Sequence, residues 1–174
     1  IDTTAAKLVM NESNFNNYAA GIRNTDMYMT DSKMNVDTPQ FSSTVLGANS
    51  ALVGSTVEVV NTANSYYVYD SDSDSMVLST DVSNFPNMYV NGAALSESSE
   101  LIVNDIDINL GGNVTMDATS SMTAVHFDTT SAVTSGVSIS GGKIDGQLIS
   151  YNNKSYILSG VILGDVSTDP AKTI

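Results

Sequence analysis

One phrase recurs along this chain without ever repeating letter for letter: a polar turn of Ser, Thr, Asp or Asn, then a short run in which aliphatic and polar residues alternate. GSTVEVVNT (54–62), SDSMVLST (73–80), SSELIVNDIDIN (98–109), SSMTAVHFDTT (120–130) and NKSYILSGVIL (153–163) are its variants. From Val57 through Met76 and Leu101 to Met122 the apolar run returns about every 20 to 25 residues, which is the period of coils stacked in a solenoid. Such coils bury nothing singly. Each needs a neighbour above and below, so the pattern predicts a continuous inner column of aliphatic side chains.

Period-two alternation marks the strands: Met27 and Met29, Met34 and Val36, Val57 and Val59, Met88 and Val90, Ile106 to Leu110, Val114 and Met116, Val125 and Phe127, Val137 and Ile139, Val161 and Leu163. Turn formers separate them, among them Asp31-Ser32, Asn49-Ser50, Asn91-Gly92, Gly111-Gly112 and Gly141-Gly142. The expected fold is all-β, a parallel β-helix or β-solenoid of about seven to eight short coils. A β-sandwich, as in a pilus or filament subunit, also has short strands between frequent turns and stays open as the alternative. The absence of Trp and the 7% aromatic content favour the narrower solenoid interior, as does VSISGGKIDGQLIS (137–150) with its small residues and paired glycines.

With 174 residues and 41% hydrophobic content the chain suits a single domain, 1–174. Residues 1–16 read as an N-terminal cap or donated strand, 17–166 as the solenoid body, and 167–174 as a tail in which Pro170 stops any ladder. The formal charge of −13 arises from 19 acidic against 6 basic residues, so nucleic acid is excluded as a partner for want of clustered cations. Absent cysteines exclude thiol catalysis, thiolate metal sites and disulfides. No run of residues is long and apolar enough for a membrane span. The chain begins at Ile1, as it would after removal of a secretory signal, and a secreted or cell-surface location is the expectation.

NYAAGIRNTDMYMTDSKMNVDT (17–38) followed by GANSALVGSTVEVVNT (47–62) resembles the β-helical passenger regions of bacterial autotransporter adhesins, in which a small-residue turn precedes a short polar and aliphatic strand pair. The likeness extends over most of 17–163. It implies surface adhesion or cell-to-cell self-association and brings no catalytic residues with it.

The sharpest local motif is DSDSDSMVLSTD, whose carboxylates Asp70, Asp72, Asp74 and Asp81 fall at positions 1, 3, 5 and 12 of a calcium-type loop. Hard oxygens at that spacing wrap one Ca²⁺, yet Ser75 replaces the loop's glycine, Leu78 is apolar and Asp81 is short. A solvated acidic turn accounts for the same residues. His126 is the single histidine and is expected on the face opposite Val125 and Phe127; no Gly-x-Ser-x-Gly elbow accompanies it. Asp105 and Asp107 share a strand face as a glycosidase pair would, but the lone arginine, Arg23, is remote in sequence, and surface-ladder acids are the plainer reading. Tyr66, Tyr67, Tyr69, Tyr89, Tyr151 and Tyr156 offer a sugar-stacking or protein-binding patch. Three functions follow. The foremost is a non-enzymatic, self-associating structural protein with an adhesive role, as a filament, pilus-like fibre or surface-layer subunit whose partner is itself. The second is a monomeric adhesin module for a glycan or protein, and the remote third is a polysaccharide-active enzyme.

Overall fold

Alternating side chains on a strand point to opposite faces, so each short run in this sequence can bury one set of residues and solvate the other. In the computed structural model, which describes residues 2–17, 23–37, 45–60, 66–79, 88–104, 107–130, 133–134, 136–149 and 154–164, those runs become strands. No helix occurs among the described residues. The first coil holds β1 (Asp2–Asn11) and β2 (Asn14–Asn17), and the second β3 (Arg23–Thr30) and β4 (Lys33–Asp37). The third adds a wall, with β5 (Val45–Leu46), β6 (Ser50–Val53) and β7 (Thr56–Val60). After a hairpin, β8 (Tyr66–Asp70) and β9 (Ser75–Ser79), the coils resume with β10 (Met88–Val90), β11 (Ala93–Ser96) and β12 (Glu100–Asn104). Then come β13 (Ile108–Leu110), β14 (Val114–Met116), β15 (Ser121–Thr129), β16 (Gly136–Ser140), β17 (Lys143–Leu148), β18 (Ser155–Ser159) and β19 (Ile162–Leu163).

Strands of successive coils pair in parallel. One wall runs β1–β3–β6–β11–β14–β16–β18 and a second β2–β4–β7–β12–β15–β17–β19, while β5–β10–β13–β15 build the third. This is the expected β-solenoid. The sandwich alternative fails because its successive strands would pair antiparallel through hairpins, and in the described chain only β8 and β9 do so. That hairpin corrects one expectation: SDSMVLST is no coil. Its Ser75 and Met76 fold straight back onto Asp70 and Tyr69, because a tight turn closes a two-stranded ribbon with far less chain than a whole coil. Of the segment 1–16, read as a cap or donated strand, residues 2–16 lie in the first coil, whose β1 and β2 pair with β3 and β4 of their own chain. The tail, 167–174, lies outside the described residues.

Register turns the alternation into stacked rows. Phe15, Met34, Val57, Leu101, Met122, Ile144 and Leu163 follow one another as direct partners up the second wall. Met10, Met29, Leu52, Leu95 and Met116 do the same in the first. Met34, Val57, Leu101, Met122 and Ile144 are wholly buried, each stabilising the fold by roughly 1.5–3 kcal/mol relative to exposure. Met suits such a column because its unbranched side chain adapts to the residues above and below.

A second ladder runs along one corner. Glu12, Asp31 and Gly54 take the left-handed conformation there, with φ of 44°, 47° and 56°, and a serine follows each. The Ser13 N–H donates to Ser32 Oγ at 3.1 Å, Ser32 N–H to Ser55 Oγ at 3.0 Å, Ser55 N–H to Ser99 Oγ at 3.0 Å and Ser99 N–H to Ser120 Oγ at 3.1 Å. Within its own corner each of the first four hydroxyls donates to a carbonyl, as Ser55 Oγ does to Val53 O at 2.8 Å. The backbone leaves the sheet ladder at a corner, and serine supplies the acceptor its buried N–H would otherwise lack.

Where this corner widens, Asp117 takes over part of that work. It accepts from the Glu97 N–H of the preceding coil at 2.6 Å, from Ser120 Oγ at 2.8 Å and from the Thr119 N–H at 3.0 Å. These bonds, the Ser120 hydroxyl foremost, hold its carboxyl down to about 2 from an ordinary 3.8. A folded-state value below the unfolded one makes this stabilisation complete above about pH 4 and lost as pH falls toward 2. Unfolding midpoints measured between pH 5 and 2 should therefore decline less steeply for Asp117→Asn than for the parent, and parallel declines would remove Asp117 from the acid response.

Candidate functional site

The last described coil differs from every coil beneath it. Residues 155–164, SYILSGVILG, contain no Asp, Glu, Lys or Arg in a chain of net charge −13. In this segment β18 and β19 each pair on one edge, with β16 and β17, and no described strand pairs with the other edge. Leu158 stands on Ile139 and Leu163 on Ile144, continuing rows that are fully buried lower down. With no described strand above them, Leu158 is 38% and Leu163 45% exposed, and Ile157 and Ile162 reach 62% and 61%. Free strand edges are normally guarded by charge, proline or a covering segment. Here the edge is uncharged and aliphatic.

At the opposite end of the same two walls, no described strand pairs with the outer edges of β1 and β2. Leu8 and Phe15 begin apolar rows there, half-buried against the core, and Val9 is exposed. Lys7 lies with its Nζ 5.5 Å from the Tyr28 ring centroid.

The acidic loop is the tip of the β8–β9 hairpin. Asp70 uses both carboxylate oxygens locally, accepting the Asp72 N–H at 3.1 Å and the Ser73 hydroxyl at 2.6 Å, which together draw its carboxyl below the usual range, Ser73 contributing most. Asp74 adopts φ of 50° to close the turn. Asp72 is exposed and Asp81 lies outside the described residues. Among the described residues no three His, Cys, Asp or Glu side chains are grouped to hold a metal ion.

His126 has a defined neighbour that its sequence position did not disclose. Its Nδ1 lies 2.9 Å from Asp107 Oδ1, a bond between successive coils. Asp105 is outside the described residues. The expectation that Val125 and Phe127 share a face is corrected: Phe127 is wholly buried and Val125 exposed. The cause is a bulge in β15, where Thr123 faces Asp145 and His126 faces Gln147, so that two residues oppose the single Gly146. A shallow depression of about 420 Å³ forms there, walled by Thr123, His126, Asp145 and Gln147. Lys143 pairs with Asp145 at 2.7 Å, while the buried Nε2 of Gln147 has no hydrogen-bond partner.

The tyrosines are not gathered into a patch by what is described. Tyr156 is a staple whose hydroxyl lies 2.9 Å from Phe127 O and 3.0 Å from Ile149 O, and burial, with the Asp128 charge, pushes its phenol upward. Tyr89 is half-buried on β10; the side chains of Tyr66, Tyr67 and Tyr69 and all of Tyr151 fall outside the description. The aliphatic end was the feature that alternation missed. Its signal was the unbroken triplets Tyr156-Ile157-Leu158 and Val161-Ile162-Leu163, apolar on both faces of their strands.

Comparison with known proteins returned no matching family model, no matching curated protein and no matching solved structure. No helix among the described residues is long and apolar enough to cross a membrane.

Proposed function

We propose that this protein is a secreted or cell-surface structural subunit that associates with copies of itself, its fibre or layer serving adhesion. The observation that carries the reading is the last coil, 155–164, with uncharged free edges and four exposed aliphatic residues. Contact there removes apolar surface from water and pairs open backbone groups at one stroke. Elsewhere the acidic surface repels other copies, which directs contact to the place where charge is missing. The resemblance of 17–62 to adhesin passenger regions supports the adhesive role. Calcium at the hairpin tip is an accessory to this reading.

Sedimentation velocity across a concentration series, with and without calcium, is the test. The weight-average sedimentation coefficient should climb with protein concentration, and climb further as salt screens the acidic surfaces. A single concentration-independent monomer peak in all conditions would defeat the reading.

A further inference from the structure

Resting on that self-association, we infer that the partner of the open β18–β19 end is the β1–β2 end of a second copy, joined head to tail so that its first coil continues the solenoid. Three observations converge on this occupant.

The free edges match wall for wall. Among the described residues β18 and β1 are the outermost strands of one wall and β19 and β2 of the other, and every pairing within those walls is parallel. A second copy added in the same orientation therefore meets each open edge with a strand running in the direction that edge already accepts. Two like ends brought together would oppose their strand directions and break the register of both walls.

The apolar rows also match. Leu163 ends the row that Phe15 begins, so the next copy's Phe15 takes the place above Leu163 that Ile144 holds below it. On the other wall Leu158 stands in the row of Ile139, Val114, Ala93 and Ser50, which the register of Tyr28 on Ala51 and of Leu8 on Met27 carries down to Leu8, so the next copy's Leu8 takes the place above Leu158.

The serine ladder supplies the polar counterpart. Each lower coil's corner N–H donates to the serine hydroxyl of the coil that follows in sequence. Ser13 opens the series. Its hydroxyl donates to Asn11 O at 2.6 Å, and among the described residues no preceding coil delivers an N–H to it. The last corner, Gly160 and Val161, stands one position before the Ile162 that pairs with Lys143, so head-to-tail joining sets the Val161 N–H over the next copy's Ser13 hydroxyl. The interface so formed is heterologous and does not close on itself, which makes the product a one-dimensional polymer.

Cysteine cross-linking of the full chain tests the joint, because the protein has no cysteine of its own. Stacked neighbours in a parallel ladder, about 4.8 Å apart, lie within the Cα separation a disulfide spans. Mild oxidation of Phe15→Cys/Leu163→Cys should yield a ladder of covalent multimers, whereas each single variant should not extend beyond a dimer. Leu8→Cys/Leu158→Cys provides an independent pair should the first disturb folding, which circular dichroism will show. If the parent associates by sedimentation but neither pair gives a ladder, or Leu163→Cys alone links as efficiently as the pair, the head-to-tail joint is wrong while self-association stands. If the parent does not associate at all, the functional reading itself falls.

Discussion

Leu158→Asp/Leu163→Asp should sediment as a monomer at concentrations where the parent protein is assembled. Both side chains sit in rows that are dry in the coils below, and no described strand pairs above them. Two carboxylates placed there have no counter-ion in the uncharged segment 155–164, and burying an unpaired charge against another subunit costs several kcal/mol. Because both positions are already partly exposed, the monomer should remain folded, with its unfolding midpoint close to the parent's. Undiminished assembly of this variant would place the contact elsewhere on the molecule.

Gly142→Ser makes the opposite kind of case. By the recurring phrase, position 142 is where the corner serine belongs: Ser121 pairs with Lys143, so Gly142 follows Ser120 up the ladder. Restoring serine looks stabilising on paper. The geometry says otherwise, because the corner has narrowed to Gly141 and Gly142, with φ of 70° and 65°. A Cβ at Gly142 would sit 2.6 Å from Met116 Cβ and 2.7 Å from the Ser120 carbonyl oxygen. Neither the backbone oxygen nor the buried Met116 can retreat without disturbing the row beneath. Left-handed strain and overpacking together should lower stability by about 2–4 kcal/mol, read as a fall in the urea midpoint of the monomeric end variant. An unchanged or raised midpoint would mean the corner has more room than these contacts allow.

Much of the architecture was legible because burial and periodicity report the same physics. Leu101 and Met122 return at coil spacing and, with Val57 on the coil beneath, occupy one fully buried row. Periodicity alone misled at Met76, since a hairpin strand and a coil strand alternate identically; what separates them is whether the partner lies next in sequence or a coil away. The corner serines were visible as turn formers. Their linking role was not, because it depends on register between coils, which no single phrase contains. The same holds for His126 and Asp107, whose bond crosses from one coil to the next, and for the bulge opposite Gly146, which sets Val125 outside and Phe127 inside. The candidate end was written plainly in two apolar triplets and a missing charge, but only the wall order shows that no described strand pairs above those triplets.

Electron microscopy of the parent protein tests the central claim most directly, since a solenoid continued from copy to copy has strands perpendicular to its long axis. The account predicts unbranched filaments one solenoid wide that lengthen with protein concentration, with an axial repeat of about 4.8 Å in their averaged transforms. Compact particles of one fixed length at every concentration, or filaments lacking that axial spacing, would contradict it.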